Sequence, residues 1–418
     1  MTHTKFIIYN MKHKFLFLLL FIGAGVFNGI YSIEREIFIL IENPVYVSRK
    51  NEPIVISIDS LMISFDLKSV KVLEGDEEIP SQIDDLDGDS RYDEISFLVD
   101  LEKQESKKLR MILSDKEKAD KYTKRTHAQL MFRTHEQGVY IKGTSICAPG
   151  QSNTYNILHH HGVAIENEIL AYRIYFDERQ TIDLYGKSKK QLELSETLFY
   201  PTLKQMSEGY GNDILMVGNS CGAGTLKGWN GKSSTHISPV KERGQRIISY
   251  GPIRTIVETE VSGWGYKGRL LDMKILYTLY AGRRELKMDV SFGSSLKDEI
   301  FSTGVVDIGG YSEIYSDHKG FISSWGSNYP DSDTIKFKKE TLGIATYIPR
   351  RFVVNECKDK DNFLYLLHSP GNRGFYYYTL FYSCKEKETY MDKNKWFHES
   401  VTTAWLLDNP CNIRINFH

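Results

Sequence analysis

The sequence predicts a mainly β protein, with a small N-terminal β-sandwich followed by a large antiparallel β-sandwich. Two observations carry that reading. Short apolar runs recur almost to the end of the chain, with polar or turn-forming clusters between them. Helical periodicity is brief throughout, and the segment 195–208 is the best candidate for a short helix.

Residues 1–32 read as a secretory signal peptide: Lys12 and Lys14, then the apolar run 15–27, then small residues near Gly29 and Ser32. Met11 is a second candidate initiator. No cysteine follows the apolar run before Cys147, so a lipid-attachment cysteine is missing. No later segment offers the ~20 apolar residues of a membrane helix. The expectation is an exported protein, periplasmic or extracellular, with no membrane span after leader removal.

Residues 33–118 form the small sandwich, with alternating runs at 37–41, 54–58, 70–73, 95–101 and 109–113. The charged stretch 114–126 reads as an exposed connection. Residues 119–418 form the large sandwich, with strand signals at 247–250, 254–261, 270–280, 286–292, 374–383 and 400–407. In 286–292 the apolar Leu286, Met288, Val290 and Phe292 alternate with Lys287, Asp289 and Ser291, which puts one face on a core. The turn-forming Ala281-Gly282-Arg283-Arg284 makes 271–292 a hairpin.

The 53 basic residues nearly balance 54 acidic ones, and removing the leader takes away three lysines and no acid. That balance argues against nucleic acid as a partner. Five scattered cysteines without CxxC spacing argue against a zinc ribbon or dense disulfide framework and leave room for one or two bridges in an oxidising compartment, with Cys357 and Cys384 as one pairing to test. Aromatics make up 12% of the chain, a supply that suits sheet faces and sugar stacking alike.

The densest chemistry lies in 159–187, which opens on His159-His160-His161-Gly162 and turns at Asp177-Glu178-Arg179-Gln180. Strand alternation places Leu170, Tyr172, Ile174 and Phe176 on a core face, joined by Ile182 and Leu184. Asn167, Ile169, Ala171, Arg173 and Tyr175 take the other face, with Asp183, Tyr185 and Lys187. Arg173, Tyr175, Asp183, Tyr185 and Lys187 then share one concave polar surface, fit for a carboxylate and sugar hydroxyls, or else a solvated face of cross-strand ion pairs. In extended chain His159 and His161 share a side and His160 opposes them. One histidine serves for proton transfer more readily than the group serves a metal, because no further ligands follow at a recognised spacing. Glu166, Glu168, Asp177 and Asp183 supply carboxylates for a glycosidase pair.

Asp85, Asp87, Asp89, Asp93 and Glu94 crowd around Gly88. Several oxygens in one tight bend suit Ca2+, although the glycine comes too early for an EF-hand and the twelfth-position glutamate is absent. The alternative is an acidic turn feeding the strand 95–101. Glycines at 209, 211, 218, 222, 224 and 228 read as turns at the rim of the sandwich. Trp229, Trp264, Tyr266 and Trp325 lie in glycine-flanked segments, as sugar platforms or as packed core.

Taken together, HHHGVAIENEILAYRIYFDERQTIDLYGK, GYGNDILMVGNSCGAGTLKGW, GQRIISYGPIRTIVE and YTLYAGRRELKMDV resemble a family of secreted Bacteroidetes proteins, catalogued as a domain of unknown function. The resemblance runs over about 43–301. It implies a mutarotase-like supersandwich for the main domain and association with pectin and other uronic-acid glycans. Fold alone does not fix function. The leading expectation is a carbohydrate-active protein on acidic oligosaccharides, most concretely a lyase. Arg173 or Lys187 would neutralise a uronate, and His160, His161 or Tyr185 would exchange protons. Glu166, Asn167, Tyr175, Asp183 and Trp229 would bind substrate. A glycoside hydrolase and a non-catalytic glycan-binding protein are the alternatives.

Overall fold

The computed structural model describes residues 32–119, 121–197, 201–335 and 337–416. The leader expected at 1–32 therefore lies, but for Ser32, outside the described residues. Among the described residues no helix is long and apolar enough to cross a membrane.

Residues Ile33–His418 form one compact unit with two principal apolar cores. In the strand Glu34–Glu42, Ile37, Ile39 and Ile41 are fully buried, and the antiparallel strand Ser106–Ser114 answers with Leu109, Met111 and Leu113. The even spacing of these branched residues puts one face of each strand into the smaller core. The strands Arg49–Ser57, Glu94–Leu101 and Ser81–Asp84 close that core from the other side as a three-stranded sheet. The first sheet has five strands, and its edge is completed from the far end of the chain: Asn412–Asn416 pairs antiparallel with Glu34–Glu42, Phe38 opposite Asn416. Residues 33–118 alone therefore do not finish the small sandwich.

The larger core lies beneath an antiparallel nine-stranded sheet. Its centre is the expected hairpin, Arg269–Tyr280 with Leu286–Phe292, in which Met273 pairs with Phe292. Inward Met273, Ile275 and Tyr277 are buried while Asp272 and Lys274 are exposed. A six-stranded and a five-stranded sheet contribute to the same core through residues such as Val163, Tyr172, Val305 and Tyr365. The mainly β, antiparallel sandwich read from the sequence is the fold observed.

Two helical expectations need correction. The short helix spans only Leu203–Ser207, started by a capping box in which Thr202 and Gln205 satisfy each other's backbone N–H groups. The run 400–407, read as a strand, belongs to the helix Lys393–Asp408. Asp392 caps it by accepting from Lys395 N, and Trp396, Ser400 and Ala404, spaced four apart, are its buried residues. Trp396 packs on the nine-stranded sheet at Gly343, where a Cβ would lie 2.4 Å from the indole. Its Nε1 donates to Ser324 O. All five cysteines, Cys357 and Cys384 included, are free thiols.

The two cores are joined by charge. Arg254, in the strand Arg254–Tyr266 of the large sheet, has a side chain 3% exposed. It binds Asp84 at 2.7 Å and Glu94 at 2.7 Å, both on the small sandwich. Gln82 adds a backbone clasp, its Oε1 accepting from the amides of Ile253 and Arg254.

Candidate functional site

The segment 159–187 folds as three strands. Gly162–Asn167 pairs with Leu170–Tyr175, which pairs with Ile182–Gly186. The extra turn at Glu168-Ile169 was not foreseen, and Asn167 makes it: Oδ1 accepts from Ile169 N and Leu170 N. Leu170, Tyr172, Ile174, Phe176, Ile182 and Leu184 enter the large core as alternation requires.

Arg173, Tyr175, Asp183, Tyr185 and Lys187 do come together, but not on an open surface. All are buried. Arg173 Nη2 lies 2.5 Å from Asp183 and 2.6 Å from Asp213, and Tyr175 Oη donates to Asp183. Lys187 Nζ pairs with Glu166 and donates to the carbonyls of Asn167 and Gln191. The missing element is a roof: Glu193 N and Leu194 N donate to Glu166, and Tyr185 Oη donates to Glu193. Alternation identifies which residues share a face, but it is blind to a distant segment lying over that face.

This corrects several roles. The charges of Arg173 and Lys187 are already compensated, so in this arrangement neither is available to a uronate. Desolvation, reinforced by Glu193, holds the Tyr185 phenol far above its usual range, the wrong direction for a base. Glu166 is tied to Lys187 and the roof, and Asn167 Nδ2 donates to Tyr280 O and Arg283 O, so neither faces a ligand. Trp229 is buried beside Cys221, Leu364 and Leu366, its backbone N–H donating to Tyr266 Oη.

The histidines are not extended chain. His160 and His161 have φ of 59° and 57°, so the triplet turns sharply instead of alternating. His160 Nε2 meets Gln129 Oε1 at 3.0 Å. His161 stacks on Tyr155 at 3.5 Å between centroids, while the Arg179 guanidinium lies 5.0 Å from the Tyr175 ring. Burial depresses all three imidazoles, His159 and His161 to about 4. They are neutral near pH 7.

An open site lies elsewhere. A cleft of about 990 Å³ is walled by the glycine-rich loop 216–220, the turn at Ile308–Gly310, and the strand Phe321–Asn328. Asn328 fixes two walls together, Oδ1 accepting from Met216 N and Nδ2 donating to Ile214 O. Trp325 lines it beside Tyr311, 92% exposed, and Tyr329, 41% exposed. Asp307, Glu313, Asp331 and Asp361 line it with Lys339 and Lys360, and Glu313 is paired with Lys393 from the helix Lys393–Asp408. Asp307 is held by Ser312 N and Lys358. Sequence reading singled out Trp325 and the glycine-rich rim. It missed Tyr311 and Tyr329, for which Gly309-Gly310 and Pro330 beside an aromatic were the available signals.

The domain-of-unknown-function family DUF4861 matches residues 41–412. The chain belongs to the DUF4861 family. No curated protein matches it. Among solved structures, a protein in the glycosyl hydrolase family 38 from Enterococcus faecalis is similar at 9% identity and a TM-score of 0.45, over 91% of this chain and 47% of that one. This DUF4861 chain thus spans about half the length of that structure.

In this DUF4861 member the acidic loop divides. Oxygens of Asp85, Asp87 and Asp89 converge within 4.8 Å of one another. Asp93 accepts from Leu86 N across the loop, whereas Glu94 turns away to Arg254. Three hard oxygen donors in one bend, with Asp93 beside them, fit Ca2+ chemistry, and Glu94 does not join them.

Two measurements test the roofed network. Lys187→Met leaves Glu166 buried without its cation and should cost about 3–5 kcal/mol in urea unfolding, only partly recovered in Lys187→Met/Glu166→Leu because the Glu193 and Leu194 amides then lose their acceptor. A single variant within 1 kcal/mol of the parent, on the order of a surface substitution, would contradict the assignment. The second concerns His159, usually near 6.5 and here about 4 because of desolvation and then Arg173. As pH falls below 6.5 the unfolded chain takes up this proton first, so the stability His159 provides above 6.5 is lost down to about 4. His159→Gln should flatten that part of the acid slope in denaturation midpoints from pH 7 to 4. Parallel slopes would exonerate the imidazole.

Proposed function

We propose that this chain is an exported carbohydrate-active protein that takes a glycan in the cleft at Trp325. The observation that supports this is the combination of aromatic faces and carboxylates on an open, preformed surface. Sugar rings present C–H faces to aromatic rings and hydroxyls to carboxylate acceptors, and a cleft of about 990 Å³ accommodates several rings. Counting Lys358 on Asp307 and Lys393 on Glu313, acids and lysines at the cleft balance, which suits a neutral sugar. The same acids are the groups that glycoside hydrolysis requires, whereas the cations assigned to lyase chemistry are buried in ion pairs. Hydrolysis is therefore the reaction class proposed. Ca2+ held by Asp85, Asp87 and Asp89 braces the small sandwich in the same proposal.

A panel of neutral and uronic oligosaccharides, read by mass spectrometry, separates the outcomes. Reducing ends without ultraviolet absorbance indicate a hydrolase, absorbance a lyase, and retention without turnover a binding protein. Tyr311→Ala and Trp325→Ala should each weaken binding about fivefold to tenfold. No glycan bound, or unaltered affinity in both variants, would remove the cleft from consideration. For the loop, millimolar calcium should raise the melting temperature and a chelator reverse it, with Asp87→Asn blunting the response. Indifference to both reagents would eliminate the ion.

A further inference from the structure

We propose that the buried cluster of Arg173, Asp183 and Asp213 positions one wall of the Trp325 cleft and ties its closure to a proton, so that the cleft holds its ligand in neutral and acidic solution and loosens in alkaline solution. The effect on a sugar rests on the cleft reading above; the effect on the wall does not.

The link between cluster and cleft is short. Asp213 ends the strand Asn212–Asp213, and the residues that follow, Ile214, Leu215 and Met216, lead into the loop 216–220 that walls the cleft. Its carboxylate bridges cation and wall: Oδ2 lies 2.6 Å from Arg173 Nη2, and Oδ1 accepts from Leu215 N at 3.2 Å. Asn328, on the opposite wall, takes the residues on either side of Leu215, donating to Ile214 O and accepting from Met216 N. Ile214 and Leu215 are buried in the large core, so the stretch is packed. A displacement at Asp213 therefore passes along it to Met216, which is 46% exposed and lines the cleft.

The charges make this bridge sensitive to pH. Arg173 Nη2 serves two carboxylates, Asp183 at 2.5 Å and Asp213 at 2.6 Å, in an interior sealed from water. One cation against two anions leaves a negative charge over, and a buried charge without compensation takes up a proton. Among the described residues the other groups around the cluster do not supply the missing cation. Tyr175 and Tyr185 are phenols held neutral by burial, and the imidazoles of His159, His160 and His161 are neutral near pH 7. Lys187 is taken by Glu166 and Arg179 by Asp177, while Glu193 accepts from Tyr185 Oη. Asp183 also accepts from Tyr175 Oη and Leu184 N, so it is the better held anion and the proton goes to Asp213. Burial pushes the Asp213 carboxyl from its usual 3.8 up to about 7, against the pull of Arg173 and with the push of Asp183. What Asp213 gives the closed arrangement is therefore complete below 3.8 and is lost as pH rises through about 7.

Backbone hydrogen exchange of the full chain at about pH 6 and about pH 8, corrected for intrinsic rates, reads the wall without any ligand. Protection of the 214–217 amides in the parent should fall up to about tenfold over that interval, roughly the most that one proton with a midpoint of about 7 gives. Asp213→Asn, neutral at every pH like the protonated acid, should stay protected at both values, and Asp213→Ala should be poorly protected at both. In calorimetric titration with the neutral oligosaccharides of the panel, affinity should fall in the parent as protection does and stay level in Asp213→Asn. The latch is overturned if protection in the parent does not change, or if it falls equally in Asp213→Asn. If protection falls as expected and no neutral oligosaccharide binds at either pH, the latch stands and the glycan reading of the cleft is lost.

Discussion

Arg254 is the residue through which the two halves of the molecule hold one another. A guanidinium sealed from water must be compensated on the spot, because desolvation of an isolated charge outweighs most of what a small core supplies. Asp84 and Glu94 meet that requirement from the small sandwich, and Gln82 docks the backbone on either side. The consequences spread outward. Asp84 is drawn inward, its oxygens accepting from Gln82, Ser249 and Arg254. Drawing Glu94 inward leaves Asp85, Asp87 and Asp89 as the converging donors of the acidic loop.

A chain of nearly balanced composition is also paired charge by charge at its depressions. Formal net charge is −1, and at the cleft by Trp325 the pairs Asp307–Lys358 and Glu313–Lys393 answer acids with lysines. Local excess of one sign in a depression matters more for ligand choice than the total, since screening reduces distant charges within about 10 Å at ordinary salt. The third charged region, around Arg173, is of a different kind. There Asp183 and Asp213 face the cation in the interior, where burial pushes Asp213 up to about 7 against the pull of Arg173. Such a network specifies how strands and roof fit together; it does not solicit a ligand.

Much of the fold was legible because period-two alternation is a local property. The strands around Leu286, the core face of Leu170 to Phe176 and the turn at Asp177 needed only neighbours in sequence. The helix from Lys393 was lost for the opposite reason. Its buried positions, Trp396, Ser400 and Ala404, form a narrow and weakly apolar stripe, while Val401-Thr402-Thr403 mimics a strand. The site was legible as chemistry but not as exposure. Arg173, Asp183, Tyr185 and Lys187 were grouped on one face, yet the covering contacts of Glu193 and Leu194 with Glu166 come from 27 and 28 residues away. The cleft is assembled from loops near residues 218, 310 and 330, a convergence that no local pattern announces.

Pairing of Asn412–Asn416 with Glu34–Glu42 joins segments from opposite ends of the described chain. Until that last strand is in place, Glu34–Glu42 offers a row of free amide and carbonyl groups along one edge, the kind of template that recruits stray strands. Such a long loop closes late, after shorter-range contacts have formed. During synthesis the N-terminal sheet must therefore wait, with an open border, for residues that emerge after the whole large sandwich. The strand is in effect a seal applied after the large sandwich, and a chain lacking it would carry that border uncovered.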